Sequence, residues 1–301
     1  MSNKAWLLLL FLSLIWGSSF YFIGEGVKSV PPLTLVFYRI FFAGLALYLV
    51  FLWLRRRLPK KLDFWIKVAV MALLNNIIPF TLIAWGQQTI SGGLASILNS
   101  NTAFAAVFLA AIFIPSEKLG IRRIIGTLIG ICGVTLVTGF DVLKEITLTS
   151  LSQLAVLLAS ISYALGSVWG QTQLTVYEPK DIACGTLLIG SLISVPFVIL
   201  TNGIPNLAAF DLKFILILFG LSIAGTAVAY IVYFRILELA GAANLMLVTI
   251  IVPVFAILID VILLQKWISL QIFLGFIVIS FGLLLIDGRL LWAILKKLKS
   301  K

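Results

Sequence analysis

The chain has 301 residues, 62% of them hydrophobic and 11% charged, with a mean hydropathy of +1.18. Soluble domains carry about 25% charged and about 45–50% apolar residues, so a soluble globule is excluded and lipid must be the solvent. The formal net charge of +11 does not mark a nucleic-acid partner, because the basic residues lie in short stretches between apolar runs, the positive-inside pattern of a membrane protein.

Taken in order, apolar runs long enough to span a bilayer cover about 5–24, 33–54, 64–86, 93–114, 121–140, 151–171, 182–201, 212–235, 242–264 and 270–288. Lys4 followed by an apolar run could pass for a signal peptide. That run is as long as a spanning helix, and the GEGVKSVPP after it holds no small-residue cleavage site, so it reads as a retained first helix. The runs are joined by short polar, glycine or proline corners, which makes neighbouring helices antiparallel. Backbone polar groups in lipid must be paired internally, and the alternation of a barrel is absent, so helices are expected throughout.

With the N-terminus in the cytoplasm, 17 of the 22 lysines and arginines fall on the cytoplasmic side and 5 on the other. The opposite topology reverses that split, so both termini are expected in the cytoplasm of a multi-pass cell-membrane (inner or plasma membrane) protein. The tail Arg289–Lys301 mixes apolar and basic residues and is either a surface-lying amphipathic helix or a frayed end.

A weak internal repeat runs through the chain. Gly126 and Gly275, and Gly133 and Gly282, are 149 apart; Gly17-Ser18 and Gly166-Ser167 share that offset; Gly93 and Gly241 differ by 148. Each copy passes a polar corner, at Lys118 or Lys266, before its glycine pair. Five helices per half make the second half start from the opposite face. The expected fold class is therefore an all-α polytopic membrane protein of ten transmembrane helices in two inverted five-helix repeats, 1–145 and 146–290, with a basic cytoplasmic tail at 291–301.

Histidine is absent, which removes the commonest metal ligand and the easiest proton relay. Cys132 and Cys184 lie in apolar runs without paired spacing. No metal, cofactor or disulfide is expected, and nothing in the sequence calls for more than a monomer.

The residues Trp16-Gly17-Ser18-Ser19-Phe20, Arg39 with Ala43, Glu117-Lys118, Arg122, Gly126, Gly130, Gly133, Pro253 and Gly282 carry a family resemblance over nearly the whole chain. It resembles the ten-helix EamA type of the drug/metabolite transporter superfamily. The second half departs from that pattern, with Gln265 where the family often repeats its corner glutamate. The resemblance implies export of amino acids, related metabolites or drugs.

The candidate substrate-binding residues are the polar and aromatic ones at depth: Trp16, Arg39, Asn75, Asn76, Asn101, Tyr163, Trp169, Tyr230 and Asn244, with Pro79 and Pro253 as hinges. Arg39 falls about 10 Å into the second helix, where a charge facing lipid costs at least ~2.5 kcal/mol. It should face inward, either meeting a substrate carboxylate or pairing structurally, with Glu25 as the expected counter-ion. Pro79 removes a backbone donor beside Asn75-Asn76, suited to a wet cavity or to a kink bonded to a neighbouring helix. Asn101 offers donor and acceptor to a zwitterion, or glues helices. Tyr233 joins the aromatic residues, which either stack on a solute or fill the membrane core. Ser18 and Ser167 suit close helix packing, and Glu117 with Arg122 and Arg123 either an inner gate or a helix cap.

The leading expectation is a secondary transporter of small organic solutes working by alternating access through a cavity among the first, third, fourth, sixth, eighth and ninth helices. A facilitative channel or uniporter is the alternative. No histidine is present, and Glu25 is the one acidic residue the sequence places in the outer half, so proton coupling has little support. A lipid-directed enzyme would need a nucleophile, a carboxylate pair or a metal cluster near the interface, and the sequence offers none.

Overall fold

The computed structural model describes residues 2–115, 120–138, 147–203, 210–245, 247–265 and 267–287. Among them every regular element is helical: α1 Asn3–Gly26, α2 Pro32–Trp53, α3 Leu62–Ala72, α4 Ile78–Gly86, α5 Gly92–Asn99, α6 Thr102–Phe113, α7 Ile121–Thr138, α8 Leu148–Gln173, α9 Pro179–Asn202, α10 Leu212–Leu218, α11 Ala229–Leu245, α12 Val248–Leu264 and α13 Leu270–Asp287. Two widened π-helical segments link helices into longer rods: Leu73–Ile77 joins α3 to α4, and Phe219–Val228 joins α10 to α11.

Among the described residues seven helices are long and apolar enough to cross a bilayer, ending with Leu212–Ala240, and Val248–Leu264 and Leu270–Ile286 are shorter apolar helices. Their starts follow local chemistry. Pro32 opens α2, where its missing N–H is one of the unpaired donors anyway. The Thr147 hydroxyl caps α8 by accepting from the Ser150 N–H at 3.1 Å. One expected corner moves: the stretch from 236 to 241 is helical, and α11 runs on to Leu245 before α12 begins at Val248. Ala240, Ala242 and Ala243 are good helix formers, and no proline breaks the run. Glu117, Lys118, Lys266 and the basic tail lie outside the described residues.

The packing has a regular pattern. α1 packs on α12, and α8 packs on α6; α2 meets the Phe219–Val228 segment, and α9 meets α3 and the Leu73–Ile77 segment. α2 also packs on α9, and α7 on α13. Each contact has a counterpart in which the two halves of the chain exchange roles. The glycines at α7 and α13 follow the same rule. A Cβ on Gly126 would lie 2.8 Å from the Gly282 carbonyl oxygen, and one on Gly133 3.0 Å from that of Gly275. Position rises along one helix as it falls along the other, so α7 and α13 run antiparallel with backbones in contact, the small-residue packing that lipid-embedded helices favour.

One continuous apolar cluster fills the bundle, with a small satellite of Phe64, Val68 and Leu174. Leu7, Leu192 and Leu200 stay 68–82% exposed on the perimeter. In water that would be a liability; facing lipid it is the expected surface.

A polar layer between two widened helices

The two π-helical segments place polar side chains at the centre of the bundle. In the first, the N–H of Ile78 bonds the Leu73 carbonyl, five residues back. Pro79 is next in that register and has no N–H to give Leu74. The hydroxyl of Ser162, from α8, donates to the Leu74 carbonyl instead at 2.8 Å. Proline thus vacates a carbonyl, and a neighbouring helix fills the place, as depth in a membrane requires. The same repair occurs below Pro253 in α12. That proline leaves the Thr249 carbonyl without its helical donor, and the Ser100 hydroxyl donates to it at 3.1 Å.

In the second segment the Thr226 hydroxyl donates to the Leu221 carbonyl at 2.9 Å, again five residues back. Its oxygen accepts from Nε of Arg39 at 3.0 Å. The Arg39 guanidinium lies 3.8 Å over the Phe80 ring, a favourable cation–π placement. Arg39 is buried, and the phenols of Tyr163 and Tyr230 are within electrostatic reach of it. Among the described residues no carboxylate pairs with it.

The expected counter-ion, Glu25, is a correction. Its carboxylate pairs with Lys28, one turn on, and with Lys213 at the start of α10 at 2.8 Å. Glu25 sits at the end of α1, level with those lysines, whereas Arg39 is two turns deep in α2 beside Thr226. A charge at such depth costs about 2.5–3.5 kcal/mol on the insertion scale. Among the described residues it is offset by a hydroxyl and π faces.

Around Arg39 the other residues gather. The buried Asn76 amide donates to the Tyr230 hydroxyl at 3.4 Å, and its own oxygen is buried with no partner. Asn75 also interacts with that hydroxyl and lies against Gly166. Tyr163 packs edge-on to Phe80, and Tyr230 stacks on Phe234. Tyr233 touches both Phe234 and Trp16, which brings Trp16 into the group.

Asn101 is half-buried at the break between α5 and α6, where it makes no capping bond. The Ser160 hydroxyl reaches the Leu98 and Asn99 carbonyls of that break at 3.3 and 3.4 Å. Trp169 is elsewhere: its indole donates to the Lys67 carbonyl at 3.0 Å and packs on the satellite cluster. The backbone of Asn244 lies in α11, and its side chain is outside the described residues. Ser18 turns back onto its own helix, donating to the Ile15 carbonyl.

Three residues of this region were not singled out from sequence. Thr226 looks like one more apolar-helix threonine, although it stands 149 residues after Ile77 in the first widened turn. Phe80 is one of 22 phenylalanines. Asp260 had a clear signal, being a lone carboxylate within an apolar run, and it corrects the view of Glu25 as the one acidic residue at that end. It is buried in α12 and accepts from the Gly93 N–H at 2.6 Å, beside the N-terminus of α5.

Two cavities flank the polar layer. One of about 300 Å³ lies at the Glu25 end, lined by Phe20, Gly24, Gln87, Ser91 and Asp260 among others. One of about 140 Å³ lies at the other end, between Glu178 and Phe234. Neither reaches Arg39 or Asn76. At this second end Arg56 pairs with Glu178 and lies 3.6 Å from Asp181. The hydrogen bond from Arg56 holds the Glu178 carboxyl below its usual range, and the Tyr177 phenol is pushed up by its bond to the Asp63 carboxylate.

The model of the EamA-like transporter family matches the chain twice, over residues 3–139 and 150–287. An uncharacterized transporter of Archaeoglobus fulgidus is 26% identical over 258 residues, covering 85% of this chain and 87% of its own. The uncharacterized transporter YoaV of Bacillus subtilis is 22% identical over 280 residues, covering 93% and 95%. A solved crystal structure aligns with a TM-score of 0.67 at 17% identity, covering 97% of this chain and 99% of that one, and so shares the fold. Two matches to one family model, which together span nearly the whole chain, place this protein in the EamA-like transporter family.

Proposed function

We propose that this transporter exports small organic solutes, amino acids or related metabolites, from the cytoplasm by alternating access. The observation that carries the reading is the polar layer of buried Arg39, Asn76 and Thr226 with half-buried Tyr163 and Tyr230, drawn from four different rods and flanked by two end cavities. A scaffold has no use for a buried guanidinium lacking a carboxylate and an amide oxygen lacking a donor; a passing solute supplies both.

In this reading the chain is two five-span repeats, 1–145 and 146–290, inserted in opposite senses, with ten spans in the cell membrane and both termini in the cytoplasm. The exchange of roles in the helix contacts supports it, as does the crosswise meeting of Gly126 with Gly282 and of Gly133 with Gly275. The Glu25 end then faces outward and the Arg56 end inward. Trp16 and Asn101 flank the solute, Pro79 and Pro253 act as hinges, and the halves rock so that the polar layer opens to one cavity at a time. Trp169 and Asn244 are the outlying candidates.

Efflux of labelled amino acids and small organic acids from proteoliposomes tests this. Saturable efflux that falls in Asn76→Leu and Asn101→Ala, at normal expression, supports the site. Flux that never saturates would indicate a pore, the behaviour of the facilitative alternative.

A further inference from the structure

Resting on that reading, the geometry points to a substrate class and a driving force. The carried solute is a net monoanion, a small carboxylate, and the membrane potential drives its export without a coupling ion.

The argument starts from charge. Arg39 is buried at the centre of the bundle, and its described partners are the Thr226 hydroxyl, the Phe80 ring and the phenols of Tyr163 and Tyr230. All are neutral groups. Glu25 is taken by Lys28 and Lys213, and Asp260 is bonded to backbone at the N-terminus of α5. The empty site therefore holds one positive charge.

A carboxylate neutralises the site. A zwitterion would bring its ammonium beside the guanidinium, and the described residues there offer it the Asn76 amide oxygen but no carboxylate. A net charge of minus one, as in pyruvate or in glutamate, whose second carboxylate offsets its ammonium, fits this surround best.

Charge balance over a cycle then follows. The loaded carrier, arginine plus monoanion, moves outward with no net charge at the site. The empty carrier returns inward with one positive charge, which an inside-negative potential pulls in the needed direction. The sum is one negative charge exported per cycle. Exchange of solute for solute moves no charge at the site in either direction. A zwitterion carries the site's positive charge outward and back, and gains nothing from the potential.

The test uses the full-length protein in liposomes with potassium gradients and valinomycin. The probes are glutamate, aspartate and pyruvate, each compared with glutamine, asparagine and alanine. An inside-negative potential of about 59 mV should drive the anions to about a tenfold outward gradient, the ratio that voltage represents for one charge. The uncharged partners should show no such gradient. Net efflux of the anion should speed up with potential, while anion-for-anion exchange should not.

Arg39→Lys should keep the voltage dependence, and Arg39→Gln should lose the preference for anions. Should the glutamine variant fail to fold, the wild-type contrast between net efflux and exchange still decides. Transport confined to zwitterions or amines, anion efflux insensitive to potential, or a gradient set by pH alone would each overturn the inference and leave the transport reading standing. No movement of any of the six solutes would remove both.

Discussion

The two widened turns reach one result by different chemistry. Around Leu73–Ile77, Pro79 removes a donor, and Ser162 on another helix supplies the missing bond. Around Phe219–Val228 no proline is present; Val228 stands 149 residues after Pro79. There Gly220 and Gly225 admit close neighbours, Phe22 at 2.6 Å and the Ser19 hydroxyl at 2.5 Å from where a Cβ would be, and the Thr226 hydroxyl takes the Leu221 carbonyl. A π-bulge exposes backbone polar groups and often marks a functional position. The first segment brings amides, Asn75 and Asn76, to the centre; the second brings a hydroxyl that holds Arg39. The halves keep the defect and divide the chemistry.

The largest expected effect comes from removing the Thr226 hydroxyl of the second turn. Thr226→Val is close in shape but leaves Arg39 Nε without its described acceptor. A hydrogen bond to a charged group contributes about 1.5–3 kcal/mol, so thermal unfolding in detergent should drop by that order and transport should fall with it. Thr226→Ser should recover most of both. Full tolerance of valine would mean that the guanidinium is held by the ring and phenol faces alone.

A smaller change tests the first turn. Pro79→Ala introduces an N–H facing the Leu74 carbonyl, adding about 1 kcal/mol of stability by an ordinary net hydrogen bond. The widened turn should persist, since its counterpart does so with valine at the corresponding place. Ser162→Ala should then cost about 0.6 kcal/mol in the wild type, the average for interhelical bonds in lipid, and less in the alanine background. Equal costs in both would show that the two donors do not share that carbonyl.

What the sequence made legible follows the same division. The membrane class, the helical class and nearly all the apolar runs were readable because hydropathy and length alone determine them. Arg39, Asn76 and Tyr230 were readable as site candidates because polar groups at depth are costly and must face inward. The partner of Arg39 was not. Glu25 is its nearest acidic residue in sequence, but the pairing depends on the depth at which each helix ends, and Lys213 competes from the far half of the chain. Thr226 gave no signal because a hydroxyl bonded to its own helix is ordinary in lipid; only the widened turn aims it at Arg39. Trp169 was grouped with the aromatic candidates by composition, yet it lies seven residues beyond Ser162 on α8, near the Lys67 end of the rod.

The smallest expected effect lies at the second end of the bundle, where Arg56 pairs with Glu178 as Lys213 pairs with Glu25 at the first. Glu178 is exposed, and water screens it, so the pair adds little to stability. The sign is nevertheless fixed. Its carboxyl is held below the ordinary value of 4.5 by the hydrogen bond from Arg56. A lowered folded-state pKa gives a contribution present above the ordinary value and lost as pH falls through the folded one. Unfolding midpoints of the wild type and Glu178→Gln should therefore differ slightly at neutral pH and converge as the pH falls below the ordinary carboxylate value. High salt should shrink the neutral-pH difference, because a Debye length of about 3 Å at 1 M leaves exposed pairs screened. If the two proteins instead diverge on acidification, or the difference ignores salt, Glu178 is held by something other than Arg56. The likeness between the two ends would then be one of position only.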